Sequence, residues 1–251
     1  MICIICQEEC LNSPIEHIVP ESLGNKKYVL AESILCAKCN NRFSEFESKA
    51  ITKSILSVIR IQQGIKTKKG KPSRLKSGDI EAVGSAQFEK GVLEFEKLNE
   101  KDIDSFDTIS GSYKITIPNF DGTEMSAVKM ILKIGFQSLY KSKKEIFGKY
   151  QFADLKDYLT NRNNRDWPFI DSHNRFYSFQ SIPTFDDKYT LSKIKCRLSY
   201  AELSKEVLLF EFQYDYFLMT VNLLNRDYSW AKIYFDSDQS SSLYPRNLKK
   251  I

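Results

Sequence analysis

Two pairs of cysteines are the residues with the clearest capacity for chemistry in this sequence. Both pairs have the spacing Cys-x-x-Cys, and residues 7–35 separate them: Cys3 with Cys6, and Cys36 with Cys39. A tight turn at this spacing directs two sulfurs at one ion, so two such turns supply the tetrahedral sulfur site that Zn²⁺ prefers. A disulfide interpretation needs an oxidising compartment, to which nothing in the sequence directs the chain. We therefore predict one structural zinc ion bound by these four cysteines.

The two remaining cysteines carry weaker signals. Cys10 could compete with the first pair as a ligand, but its spacing is less regular, and we interpret it as a spare reduced thiol. Cys196 lies in a run of alternating apolar residues, which indicates a place in the core.

A histidine lies between the two cysteine pairs, next to a carboxylate. Residues 15–20 read Ile-Glu-His-Ile-Val-Pro and contain His17, one of only two histidines in the chain. Asn40 directly follows the second cysteine pair. A lone histidine is usually structural, but His17 has one candidate metal ligand beside it, Glu16, and a second tethered to the predicted zinc site. This combination favours a catalytic site.

In this arrangement, residues 1–50 resemble the HNH endonucleases, also called ββα-metal or His-Me finger nucleases. The zinc-stabilised branch carries, in this order, Cys-x-x-Cys, an acidic residue and His with Ile-x-Pro, Leu-Gly-Gly, and Cys-x-x-Cys-Asn-x-x-Phe. The chain matches each piece but departs at three points. Asn25 replaces the second Gly, Glu16 stands where many relatives have Asp, and the middle Asn has no clear counterpart in residues 30–35.

The resemblance implies a metal-dependent endonuclease that hydrolyses phosphodiester bonds in DNA, with restriction and phage defence among the roles of such proteins. This reaction needs an activated water, charge neutralisation at phosphorus and stabilisation of the leaving oxygen. We predict that His17 is the general base. The oxygens of Glu16 and Asn40 would bind a catalytic divalent ion, Mg²⁺ or Mn²⁺. Two alternatives remain: a zinc-stabilised nucleic-acid-binding module without cleavage, and a nuclease that acts on RNA.

The elements that must position these residues follow from the apolar pattern. Residues 15–19 predict a short strand, with residues 33–35 as its partner. From Asn40 the pattern changes to helical spacing, and its apolar stripe contains Phe43, Phe46, Ala50, Ile51, Ser54, Ile55, Val58 and Ile59. A segment this short builds little core, which explains a need for zinc. We predict an α+β protein whose residues 1–62 form a small zinc-bound ββα-metal nuclease module.

A basic segment follows this module. Residues 1–78 contain 13 Lys/Arg and 7 Asp/Glu, a net charge of +6, whereas residues 79–251 contain 24 and 25, a net charge of −1. We interpret residues 63–78 as a flexible linker or arm that grips phosphates, with a solvated linker as the alternative. Its nucleic-acid-binding candidates are its six cations: Lys66, Lys68, Lys69, Lys71, Arg74 and Lys76.

Residues 79–251 predict a second domain, α+β with an antiparallel sheet, that selects or regulates the target. Its predicted helices are 125–139 and 152–159, and its predicted strands are 87–98, 113–118, 175–182, 193–203, 206–214, 216–224 and 230–235. Arg162, Arg165 and Arg175 are close enough in sequence to form a local basic groove. His173 lies in a polar stretch and is interpreted as a surface residue.

Composition excludes several classes of protein. The chain of 251 residues has 42% hydrophobic and 13% aromatic residues with 10 Gly and 7 Pro, which excludes collagen, coiled coil and full disorder. No apolar run has the length of a membrane span, and the N-terminus lacks the features of a signal peptide. We therefore expect a cytoplasmic protein that binds DNA, with RNA as the alternative, and that does not bind a membrane.

Overall fold

The computed structural model describes residues 1–10, 13–115, 124–161, 166–183, 195–237, 241–245 and 248. The helices are α1 Ala37–Lys53, α2 Ile55–Gln62, α3 Glu124–Ser142, α4 Lys144–Lys149, α5 Ala153–Thr160 and α6 Lys232–Ser237. The strands are β1 Glu16–His17, β2 Val29–Leu30, β3 Arg74–Ser77, β4 Ile80–Gly84, β5 Leu93–Lys97, β6 Ile103–Asp107, β7 Ser112–Ile115, β8 Phe169–Asp171, β9 Gln180–Ser181, β10 Cys196–Glu202, β11 Leu208–Tyr214, β12 Phe217–Asn222 and β13 Ser242–Tyr244. All strand pairs in these ranges are antiparallel, and the predicted α+β class is confirmed.

The N-terminal module, residues 1–62, contains a two-stranded β-ribbon followed by helices. In the ribbon Glu16 lies opposite Leu30 and His17 opposite Val29, so β1 pairs with β2. The prediction that residues 33–35 are the partner of β1 is wrong. Ser33 has a φ of 64°, and this left-handed conformation turns the chain towards α1 instead of extending it as a strand.

The long helix of the module begins and ends differently from the prediction. It begins at Ala37 because Cys36 is the N-cap and its sulfur accepts the Cys39 amide at 3.4 Å. Asn40 therefore lies in the first turn of α1 and does not open the helix. The predicted stripe is helical, but Ser54 divides it: its backbone is extended, and its hydroxyl accepts the Leu56 amide at 3.2 Å to begin α2.

The predicted flexible linker contains an ordered strand. Residues 74–77 form β3, which pairs with β4 and extends into a three-stranded sheet with β5. Exposed Arg74 and Lys76 alternate with Leu75, which is buried against Val58 and Ile61 of α2. This two-residue alternation is typical of a strand that buries one face. An interpretation based on charge alone misses the alternation, because the residues on the exposed face are basic.

The C-terminal region, residues 79–251, packs the long helix α3 on a six-stranded sheet. The strand order is β13-β8-β12-β11-β10-β9. Gly135 lets α3 approach the sheet closely, because a Cβ there would lie 2.7 Å from the Phe210 ring. The two predicted helices correspond to α3 and α5.

Of the seven strands predicted in the C-terminal region, three are present, three are present only in part and one is an error of type. The predictions 193–203, 206–214 and 216–224 correspond to β10, β11 and β12, with residues 193–194 outside the described part of the chain. The prediction 87–98 overlaps only β5, the prediction 175–182 only β9, and the prediction 113–118 only β7, with residues 116–118 outside the described part of the chain.

Residues 230–235, predicted as a strand, form the end of a 3₁₀ turn and the start of α6. Asp227 starts this turn by accepting the amide and hydroxyl of Ser229, and such local bonds favour helix initiation over strand.

One hydrophobic core includes residues of the N-terminal module and of the C-terminal region. Phe43 and Phe46 of α1 belong to the same buried cluster as Ile131 of α3 and Phe210 of the sheet. Because α1 packs directly on α3, the C-terminal region forms one wall of the space next to β1. The boundaries at residues 62 and 79 stay predictions.

Candidate functional site

The four predicted zinc ligands converge in the fold. The sulfurs of Cys3, Cys6, Cys36 and Cys39 all lie within 4.8 Å of one another. The Cys6 and Cys36 sulfurs are 3.6 Å apart, close to the separation of about 3.8 Å that tetrahedral Zn–S bonds of about 2.3 Å require. Backbone amides of Cys36 and Cys39 donate to sulfurs of the group, which favours thiolate ligands. The donor set therefore fits a structural zinc ion, and in the described residues it is the only such cluster of His, Cys, Asp and Glu.

The other two cysteines lie outside this group. Cys10 is buried, and burial raises the pKa of its thiol to about 11, so it is uncharged near neutral pH. Cys196 packs against the main core, and burial raises its pKa to about 12.

The predicted catalytic residues line one cleft of about 810 Å³. Glu16 and His17 reach it from β1, and Asn40 reaches it from the first turn of α1. His17 is half-buried, and burial lowers the pKa of its imidazole below the usual value. The ring is thus neutral near pH 7, the state in which it can accept a proton.

The loop that follows His17 is held by a residue whose importance the sequence did not reveal. Asn25 is fully buried and its amide nitrogen donates to the carbonyls of Val19 at 2.6 Å and Tyr28 at 2.8 Å. Its oxygen accepts the amides of Lys27 and Tyr28. Asn25 stands where the resemblance expects glycine. Its four hydrogen bonds fix the connection from β1 to β2, although the middle Asn of the family pattern is absent.

The segment that contains the four sulfurs, β1 and α1 is similar to a known protein family. Residues 3–56 match the family model of the HNH endonucleases. No curated protein and no solved structure matches the chain. The match ends inside α2, so it covers β1, β2 and α1. It indicates nuclease chemistry and a nucleic acid substrate for this HNH module, which is the N-terminal module defined above.

A lysine of the C-terminal region contacts residues that line this cleft, which is called the HNH cleft below. Lys133 of α3 is fully buried, and its ammonium forms ion pairs with Glu16 and, at 2.5 Å, with Glu47 of α1. The same ammonium donates to the carbonyl oxygen of His17 at 3.1 Å. Burial opposes its charge, but Glu47 and Glu16 outweigh burial and hold the pKa of Lys133 above its usual value. Lys133 therefore ties β1 to α1 at the residues predicted to do chemistry.

The six basic candidates of residues 63–78 divide into two groups. Lys68, Lys69, Lys71 and Arg74 line the cleft, whereas Lys66 and Lys76 do not. Several are already engaged: Lys68 pairs with Glu21, Arg74 with Glu96, Lys76 with Glu81, and Lys66 lies over the Phe88 ring. Lys69 and Lys71 form no ion pair with any residue in the described ranges.

The second histidine lies in a separate, smaller cleft of about 310 Å³ on the C-terminal sheet. Exposed His173 lines it with Arg175, Lys195 and Arg197. Arg175 is paired with buried Glu211. Arg162 and Arg165, the other members of the predicted basic groove, lie outside the described residues.

No helix in the described residues has the length and apolarity needed to cross a membrane.

Proposed function

We propose that the protein is a metal-dependent endonuclease that hydrolyses phosphodiester bonds in DNA. The observation that carries the proposal is that half-buried His17, whose pKa is lowered by burial, lines the same cleft as Asn40 inside a module that matches the HNH endonucleases. The exposed cations of residues 68–74 line the same cleft and suit a phosphate backbone.

In the proposed mechanism His17 accepts a proton from the attacking water. Lys133 fixes the backbone at His17 through its carbonyl, so the imidazole needs little reorganisation to act. Lys69 and Lys71 bind phosphates of the strand and keep it in the cleft. The C-terminal region, which supplies Lys133, would select or regulate the target.

A divalent ion would be held by oxygen donors beside His17. The amide of Asn40 and the carboxylates of Glu16 and Glu47 line the cleft, and such donors suit Mg²⁺ or Mn²⁺ rather than Zn²⁺. Both carboxylates already share Lys133, so Asn40 is the ligand whose oxygen is committed to no partner in the described residues. When bound, the ion would neutralise charge at phosphorus and on the leaving oxygen.

The test is cleavage of a supercoiled plasmid and of a single-stranded and a double-stranded RNA by the purified full chain. Each substrate is incubated with Mg²⁺, Mn²⁺ or excess EDTA. Cleavage of the plasmid only with a divalent ion supports the proposal. Cleavage of RNA alone identifies the RNA nuclease, and metal-dependent binding without cleavage of any substrate identifies the binding module; either result contradicts a DNA endonuclease.

A further inference from the structure

A buried arginine lies in the wall of the HNH cleft without a carboxylate partner. Arg60 of α2 is only 3% exposed, and it lines the cleft together with His17 and Asn40. Its Nε donates to the carbonyl of Ser22 and its Nη1 to the carbonyl of Ile51, both at 2.7 Å. These two bonds fix the plane of the guanidinium group.

The positive charge of Arg60 is not compensated by the protein. No ion pair in the described residues includes Arg60, and its two side-chain hydrogen bonds go to uncharged carbonyl oxygens. Burial lowers its pKa, but a guanidinium group stays protonated at neutral pH. Buried charges are normally paired, because an unpaired one costs several kcal/mol, on the order of a whole domain's stability. A neutral amide side chain could donate hydrogen bonds to two carbonyls equally well. The positive charge of Arg60 is therefore not needed for these bonds, and it suits an anionic partner.

The remaining nitrogen of Arg60 is available to such a partner. Nη2 makes no hydrogen bond within the described part of the chain. It is also absent from the buried atoms that lack a partner, so it keeps contact with solvent. Arg60 lines the HNH cleft together with Lys69 and Lys71, and these two lysines also favour an anion there.

We propose that Arg60 binds a backbone phosphate of the nucleic acid strand in the HNH cleft. The inference rests on the proposed nuclease function and adds one ligand of the substrate to it. The two carbonyls hold the guanidinium group in place before the substrate arrives, and a phosphate supplies the missing negative charge through charge-assisted hydrogen bonds to Nη2. Unlike the exposed lysines, Arg60 is already fixed and loses little side-chain entropy on binding.

The experiment measures binding of the full chain, with its zinc and without added Mg²⁺ or Mn²⁺, to duplex DNA in which one phosphate at a time is replaced by a neutral methylphosphonate. For the wild type we expect one position at which affinity falls roughly tenfold or more. Arg60→Gln should lose a similar factor on the unmodified duplex and lose little further on the duplex neutralised at that position, because both changes remove the same contact. Lys149→Gln, which removes one exposed charge remote from the cleft, should retain the wild-type profile.

Either of two results with a folded Arg60→Gln protein would overturn the proposal. One is an affinity equal to that of the wild type, and the other is a loss of affinity that adds to the loss caused by methylphosphonate at every position. If Arg60→Gln does not fold, the same profile is recorded for Arg60→Lys, which keeps the charge but loses the planar group.

A second measurement separates this inference from the proposed function. Inorganic phosphate stabilises folded proteins in general, so the measured quantity is the rise in thermal unfolding midpoint on exchange of chloride for phosphate at equal ionic strength. This rise should be smaller for Arg60→Lys than for the wild type. An equal rise in both proteins contradicts the role of Arg60, whatever the chain does to nucleic acid. A wild type that shows the larger rise but binds no nucleic acid contradicts the proposed function alone.

Discussion

The chain has two histidines, and the structure places each in a cleft with basic residues around it. His17 is half-buried on a strand that is held by the Asn25 loop, by α1 and by Lys133. His173 is exposed on the surface of the C-terminal sheet, and the arginine beside it is occupied by Glu211. The difference is one of environment rather than of residue type. Burial lowers the pKa of His17, and three separate segments of the chain fix its position.

This comparison shows what a catalytic interpretation requires beyond a histidine and positive charge. The HNH cleft combines a neutral base, oxygen donors and unpaired cations, and it lies beside a cluster of four sulfurs. The cleft at His173 has cations but no comparable cluster of ligands in the described residues. We therefore expect substitutions in the first cleft to affect cleavage, and those in the second to affect folding or binding only.

The largest expected effect is the loss of the sulfur cluster. Cys39→Ser should remove zinc, unfold the HNH module and abolish cleavage, because binding of a structural zinc ion supplies about 10 kcal/mol or more of folding free energy. Cys196→Ser, in the C-terminal sheet, should keep one zinc ion per chain. Elemental analysis and circular dichroism make the comparison. A Cys39→Ser protein that folds, cleaves and contains zinc would contradict the assignment.

The buried ion pairs of the two clefts should differ in their effects. Lys133→Met leaves buried Glu16 and partly buried Glu47 without a counterion and should lower the free energy of unfolding by about 3–5 kcal/mol. Arg175→Met leaves Glu211, which still accepts the Ser199 hydroxyl at 2.9 Å, and should cost about 1–3 kcal/mol. Urea titrations give both values. At a temperature where both variants are folded, only Lys133→Met should slow cleavage. Equal cleavage rates for the two variants would show that Lys133 does not contribute to the catalytic site.

The local parts of the site are predictable from sequence, and the long-range parts are not. The cysteines, His17 and Asn40 lie within about 40 residues and carry spacings set by one ion and one helix turn. Lys133 and Arg60 have no such signature. The α3 lysine reaches Glu16 and Glu47 only because α1 packs on α3, and the α2 arginine reaches the cleft only because the chain turns at Ser54. Residues 1–78 and 79–251 differ in net charge, but in the described part of the chain they do not form separate hydrophobic cores, because α1 and α3 pack in one core.

The smallest expected effect is on the salt dependence of binding. Changing Lys69 and Lys71 to Gln should reduce the slope of log affinity against log salt by about 1.8, since each phosphate contact contributes about 0.9 on duplex DNA. The matched pair Lys195→Gln and Arg197→Gln in the second cleft should change it by less than one contact. Equal losses for the two pairs would show that both clefts bind the backbone.

We propose that His17, and not His173, is the base for phosphodiester cleavage. The single-turnover rate of nucleic acid cleavage with Mg²⁺ tests this for the wild type, His17→Ala and His173→Ala, with zinc content and substrate affinity measured on the same samples. We expect His17→Ala to retain zinc and affinity but to lose roughly 10²–10⁴ in rate, and His173→Ala to keep the wild-type rate. A His17→Ala protein that cleaves at the wild-type rate would contradict the proposal.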